Sequence, residues 1–164
     1  MISLKRILVP TDFGEASDAA LNYARALARA FGASISVLHV ADNVLLQSAG
    51  IEGYVAYPEM QRGIEEAARR QLEAAIGDDD RRELRAQTVL RISNATALTI
   101  ITYAREHDVD LIVMGTHGRG AMAHLFMGSV AERVVRTSPC PVLTVKHPEH
   151  EFVIPDALMR VAHA

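Results

Sequence analysis

The chain has 164 residues, of which 49% are hydrophobic and 23% charged, with a formal net charge of −3. That is enough for one domain with its own core; it excludes a disordered segment and argues against a nucleic-acid or anionic-membrane partner, which requires a basic face. The single cysteine, Cys140, excludes an internal disulfide framework, and no apolar run approaches the roughly 18 residues of a membrane span.

Strand-like and helix-like segments alternate from the start. Lys5 to Val9 is short and β-rich, and Pro10 ends it. Ala16 to Phe31 has helical periodicity, with Ala20, Tyr23, Ala24, Leu27, Ala28 and Phe31 expected on the core face and Gly32 placed to cap the C-terminus. Ser34 to Val40 forms a second strand. Ala41 to Tyr57 is a long connection, of the kind that serves as a lid or a surface loop. Pro58 to Ile76 is helical and ends at Gly77. Leu84 to Arg91 alternates in polarity, as a half-exposed edge strand does. Asn94 to Glu106 is helical, with Asn94 as its expected N-cap and Ala97, Ile100, Ile101 and Ala104 on one face. Asp110 to Met114 is the fourth strand, Ser129 to Arg136 a helix, and Val142 to Val145 the fifth strand. Residues 147–164 extend past it, and Phe152, Val153, Ile154, Leu158 and Val161 suit docking on the core or on a neighbouring subunit.

Such alternation predicts an α/β fold: a single-domain parallel sheet of five strands with helices on both faces and right-handed crossovers. Ligands in these sheets bind outside the carboxyl ends of the strands at a topological switch point. Pro10, Thr11, Asp12, Val40 and Gly115 all fall at such ends.

The densest chemical signal is the stretch from Asp110 to Lys146. Its apolar strand stops at Gly115, and the spacing is Gly115-x2-Gly118-x9-Gly128-Ser129. Glycines permit a sharp turn and close ligand approach. A strand end feeding a helix N-terminus gathers free N–H donors, which suits a phosphate. Ser129 and Glu132 also form an S-x-x-E capping box. There is no P-loop lysine, and Gly118-x-Gly120-x-x-Ala123 lacks the acidic ribose partner of a dinucleotide site. Arg119 offers a planar fork to phosphate, and His117 lies beside it. Asp12 suits a ribose or adenine edge. His39 reads as a packed histidine, and Cys140, between two prolines, as a buried inert thiol. The seven histidines show no zinc-ligand spacing. A magnesium ion carried by phosphates needs few side chains. No nucleophile–base pair stands out, so hydrolysis is expected to be slow.

These residues make the chain resemble the universal stress protein family across positions 2 to 146. The resemblance is carried by Ile7-Leu8-Val9-Pro10-Thr11-Asp12-Phe13, Val37-Leu38-His39-Val40, the Asp110 to Gly120 block, and Gly128-Ser129-Val130-Ala131-Glu132-Arg133 through Pro139-Cys140-Pro141-Val142. Ser93-Asn94-Ala95 departs from it, standing where the family often has glycine. The resemblance implies an adenine-nucleotide alpha-hydrolase-like sheet in order 3-2-1-4-5, with residues 1–146 as the domain and 147–164 as a C-terminal extension. It implies ATP as the ligand, with Mg²⁺ held by the phosphates. Asp12 and the backbone of Pro10, Thr11 and Val40 would hold adenine and ribose. Met114, Gly115, Gly118 and Arg119 would flank the ribose-phosphate, and Gly128, Ser129 and Val130 would bind the phosphates. It further implies a homodimer through Val142 to Val145. The expectation is therefore a cytoplasmic, ATP-binding regulatory protein of the stress response, with an unidentified protein partner. A weak ATPase or self-phosphorylating enzyme, and a dimeric interaction module that uses no nucleotide, stand as the alternatives.

Overall fold

The computed structural model describes residues 2–47, 57–116 and 127–148. Its elements are β1 (Arg6–Pro10), α1 (Glu15–Phe31), β2 (Ser34–Ala41), α2 (Val44–Gln47), α3 (Tyr57–Ala75), α4 (Asp78–Glu83), β3 (Gln87–Ile92), α5 (Thr96–Glu106), β4 (Leu111–Gly115), α6 (Ser129–Thr137) and β5 (Val142–Val145). The five strands form one parallel sheet in the order β3-β2-β1-β4-β5, as expected. Among the described residues no helix is long and apolar enough to cross a membrane.

Alternation along each central strand feeds two cores. Ile7, Val9, Ile35, Val37, Leu111 and Val113 face α1 and α3, where they meet Ala20, Ala24, Ala28 and Leu72. Leu8, Leu38, Ile112 and Met114 face the other way, against Ala97, Ile100 and Tyr103 of α5 and Val134 of α6. A strand buried on both sides must read as a continuous apolar run, which is why β1 and β4 were conspicuous in the sequence. Each fully buried Ile, Leu or Val contributes about 1.5–3 kcal/mol. β3 and β5 are the two edges, and Leu143 of β5 remains partly exposed.

Several local expectations need correction. Tyr23 and Phe31 do not face the core; they are 42% and 46% exposed, and the buried stripe of α1 is Ser17, Ala20, Leu21, Ala24 and Ala28. Those small side chains let α1 lie close to the sheet. Gly32 does end α1 in the left-handed conformation, at φ 68°. α3 ends at Ala75, just before Gly77 as expected, and Gly77 is also the N-cap of α4, its N–H donating to Asp80 Oδ2 at 3.2 Å. Leu84 follows α4 and precedes the third strand, which starts only at Gln87. Asn94 does not cap α5. Its Oδ1 accepts the Asn43 N–H at 2.7 Å and its Nδ2 donates to the Asn43 carbonyl at 3.1 Å, so it clamps the exit of β2. Ser129 is not the cap of α6 either: Gly128 occupies that position, and Ser129 is the first helical residue. Within the 41–57 connection, Val44–Gln47 forms α2; residues 48–56 and 149–164 lie outside the described residues.

α4 is anchored by one strong ion pair. Arg25 on α1 donates Nη2 to Asp80 Oδ2 at 2.7 Å and Nε to both carboxylate oxygens at 3.1 Å, and also reaches the Ala75 carbonyl at 2.8 Å. The Arg25 hydrogen bonds hold the Asp80 carboxyl below its usual range against the opposing pull of burial.

Candidate functional site

A cavity of about 450 Å³ opens at the carboxyl ends of β1, β2 and β4, the switch point of the sheet. It has the size of a small-molecule site. Pro10, Thr11 and Asp12 line it from β1, Leu38 and Val40 from β2, and Met114, Gly115 and Thr116 from β4. The first turn of α6 closes one end with Met127, Gly128, Ser129, Val130 and Ala131, while Thr96 and Ile100 enter from α5.

The β1 side is built by a tight turn. The Thr11 N–H donates to the Leu38 carbonyl at 2.9 Å, fixing the strand end. Thr11 Oγ1 accepts the Phe13 N–H at 2.9 Å and lies 3.1 Å from Ser17 Oγ. Asp12 Oδ1 accepts the Gly14 N–H at 3.1 Å, as a short acidic side chain does in a turn. Ser17 is buried and in turn donates to the Gly14 carbonyl at 2.8 Å. These bonds hold Phe13 at φ 62°, a conformation costing a non-glycine residue roughly 1–2 kcal/mol. The Phe13 ring packs on His39 with centroids 4.3 Å apart. His39 Nδ1 lies 2.8 Å from the Thr11 carbonyl; a carbonyl only accepts, so Nδ1 carries the proton. His39 is thus a structural brace for the turn that presents Asp12, in keeping with its expected packed role.

The opposite end is a helix start without a side-chain cap. The Glu132 N–H donates to the Gly128 carbonyl at 2.9 Å and closes the first turn of α6. The N–H groups of Ser129, Val130 and Ala131 precede it and have no acceptor within the helix. Together with the helix dipole they form a positive pole at the cavity wall. The Gly128 N–H instead donates to the Thr116 carbonyl at 2.7 Å, and the Thr116 N–H to the Val145 carbonyl at 2.9 Å. The two ends of the glycine loop are therefore pinned together beside β5.

Nine residues singled out in the sequence meet at this cavity: Pro10, Thr11, Asp12, Val40, Met114, Gly115, Gly128, Ser129 and Val130. Gly118, Arg119 and His117 lie outside the described residues. Sequence reasoning missed Ser17, Leu38, Thr96, Ile100, Thr116, Met127 and Ala131 as lining. Ile100 and Leu38 carry no signal beyond an apolar core pattern, whereas Thr96 was legible as a hydroxyl at the start of a helix. Among the described residues no group of three or more His, Cys, Asp or Glu is placed to hold a metal. Cys140 is half-buried beside Ser138 Oγ at 3.6 Å, and burial raises its thiol pKa.

The model of the universal stress protein family matches residues 3–146. The chain belongs to the universal stress protein family. Among similar members, a universal stress protein of Thermus aquaticus is 36% identical over 148 residues, covering 87% of this chain and 98% of its own. Universal stress protein MJ0577 of Methanocaldococcus jannaschii is 28% identical over 157 residues, covering 88% of this chain and 96% of its own. The solved MJ0577 structure superimposes with a TM-score of 0.73 over 90% of this chain and 99% of that one. Universal stress proteins solved with cAMP and, from Archaeoglobus fulgidus, with dAMP share the fold at 22% and 21% identity, with TM-scores of 0.61 and 0.59 over 88% and 89% of this chain and 98% and 100% of theirs. In this universal stress protein the sheet runs β3-β2-β1-β4-β5 and the cavity lies at its switch point.

Proposed function

We propose that this universal stress protein binds ATP in the switch-point cavity and acts as a nucleotide-dependent regulator in the stress response. The observation that carries this reading is the uncapped first turn of α6 opening on one end of a largely apolar cavity. Phosphates gain three unpaired amides and a helix dipole there, while a purine gains the apolar surface of Leu38, Val40, Ile100 and Met114. Asp12, which lines the cavity at the end of β1, would take the ribose hydroxyls, and the guanidinium of Arg119, by its chemistry, would suit the phosphates. Mg²⁺ would ride on the phosphate oxygens with waters completing its shell. Adenylates held in the same fold by the cAMP and dAMP complexes set the ligand class to test. Hydrolysis is slow in this reading, because the sequence has no P-loop lysine and no nucleophile–base pair lines the cavity among the described residues. The protein acts in the cytoplasm as a homodimer paired through β5, whose nucleotide state is read by a protein partner.

Titration calorimetry of the purified chain with ATP and Mg²⁺ tests the reading, with Ser129→Asp as its control. An aspartate at the first position of α6 favours the helix by about 0.3–1 kcal/mol. It also places a negative charge where phosphate would lie. The expected result is ATP binding by the wild type, with affinity lowered at least tenfold in Ser129→Asp while its melting temperature holds or rises. Equal heats of binding in the two proteins would refute the phosphate pole.

A further inference from the structure

The two flanks of α1 are unlike. On one, Arg25 holds Asp80 and the Ala75 carbonyl, its Nη1 donates to Asn22 Oδ1 at 3.0 Å, and Arg29 lies 3.9 Å from Glu83. That polar flank faces the end of α3 and α4. Tyr23, Leu27 and Phe31, spaced i, i+4, i+8, stand on the other. α3 packs on β2 and β3, whereas α1 lies mainly over β1 and β4 and also touches β5. The apolar flank therefore looks toward β5, the edge of the sheet, whose Val145 turns to the same side. Leu27 is half-buried against the core, while Tyr23 and Phe31 reach solvent. Among the described residues no further helix packs on that side of α1.

After β5 the chain returns to α1. His147 Nε2 lies 3.3 Å from Glu15 Oε2, in the first turn of that helix. Both side chains are solvent-accessible, so the pair contributes little by itself; what it fixes is a starting point. Residues 149–164 set out from the N-terminal end of the apolar flank. From Glu15 to Phe31 the helix runs about 24 Å. An extended chain from His147 to Ile154 covers about 23 Å, and Ile154 to Val161 adds about 10 Å even as a helix. The segment is long enough to follow the whole flank. Its sequence also matches: Ile154, Leu158 and Val161 recur at i, i+4, i+7, as on one face of a helix, and Pro155 suits a first turn. A segment already tethered beside its site acts at an effective concentration of roughly millimolar, well above that of a second copy free in dilute solution.

We infer that the apolar flank of α1 is a docking surface for residues 149–164 of the same chain. Phe152 meets the flank near Tyr23, and Leu158 and Val161 meet it at Leu27 and Phe31. The contact is apolar, so it draws on burial of these side chains and not on the exposed His147–Glu15 pair. The inference is independent of what the cavity binds, because the flank lies on the sheet face opposite α5 and α6.

Chymotrypsin, which cuts after Phe and Leu, reads the docked state, because cleavage tracks the population in which the segment is released. The full chain is digested as wild type, Tyr23→Lys and Phe31→Lys, with Leu98→Lys, which changes an exposed leucine of α5, as control. A synthetic peptide of residues 147–164 gives the undocked rate. Wild type and Leu98→Lys are expected to be cut at Phe152 and Leu158 at least tenfold more slowly than the peptide. Tyr23→Lys and Phe31→Lys, which alter only exposed positions and should melt near the wild-type temperature, are expected to lose most of that protection. Cleavage of the wild type at the peptide's rate would overturn the inference. So would protection that both flank variants keep, protection that Leu98→Lys loses as fully as they do, or protection that fades on dilution, which would place the segment on a second copy.

Discussion

A methyl group on Gly115 would lie 2.9 Å from both the carbonyl carbon and the Cβ of Ala16 in the first turn of α1. Real Cβ atoms do not approach backbone so closely, so glycine at this position serves the packing of α1 against β4 before it serves any ligand. Gly115→Ala is expected to cost about 1–3 kcal/mol. In a domain of this size each kcal/mol lowers the melting temperature by about 2–4 °C. Ala16→Gly in the same chain should recover only part of the loss, since the Ala16 carbonyl carbon and oxygen remain at 2.9 and 3.0 Å. A Gly115→Ala protein melting with the wild type would contradict this packing. Lowered ATP affinity in a Gly115 variant would report a displaced α1 as much as a blocked phosphate.

The Arg25–Asp80 pair should dominate the acid sensitivity of the α3–α4 corner. The Asp80 side chain is 9% exposed and that of Arg25 23%. Removing one partner strands the other, and Asp80→Asn or Arg25→Ala should cost about 2–4 kcal/mol at neutral pH. Because the folded pKa of Asp80 is lowered, its contribution is fully present above the unfolded carboxylate value of about 3.9. It is lost as pH falls through the lower folded value. Urea melts from pH 7 downward should therefore show the wild-type advantage over Asp80→Asn constant to about pH 4 and shrinking below it. An advantage that shrinks between pH 7 and 5 would point to a different group.

Cys140 should be a poor nucleophile. Burial pushes its thiol up, outweighing the opposing hydrogen bond to Ser138, and only the thiolate reacts. Iodoacetamide labelling at pH 7 is expected to run roughly tenfold slower in the folded chain than in urea. Equal rates in the two conditions would show an open, ordinary thiol.

The proposed homodimer gives a separable test. β5 is an edge, and Leu143 on it is 37% exposed. An apolar edge strand pairs readily with a second copy unless charge blunts it. Leu143→Lys is expected to shift the protein from dimer to monomer in sedimentation equilibrium with little change in its melting temperature. A wild type that sediments as a monomer would remove the dimer from the proposed function.

The sheet was legible in the sequence for a physical reason. β1 and β4 are buried on both faces, so Ile7-Leu8-Val9 and Leu111-Ile112-Val113-Met114 had to be unbroken apolar runs. The edge position of β3 likewise showed in its alternation. Helix faces were harder: in α1 so many positions are alanine that more than one stripe fits a 3.6-residue period, and Tyr23 and Phe31 drew the expectation to the wrong one. Caps failed where a distant partner intervened, because nothing near Asn94 announces that Asn43 will claim its side chain. The cavity was half visible. Glycine and strand-end signals marked Pro10, Asp12, Gly115 and Gly128, while Ile100 and Met127 became lining only through the way α5 and α6 fold over the strand tips. The contact that makes Gly115 indispensable to α1 had no trace in the sequence at all.

The bond from Gly128 to Thr116 joins the end of β4 to the start of α6 and closes the chain between them. Doubling the length of such a closed insert adds only about 0.6 kcal/mol of closure entropy. A library varying the number of residues between those two ends should therefore leave the melting temperature nearly unchanged, which thermal denaturation would check.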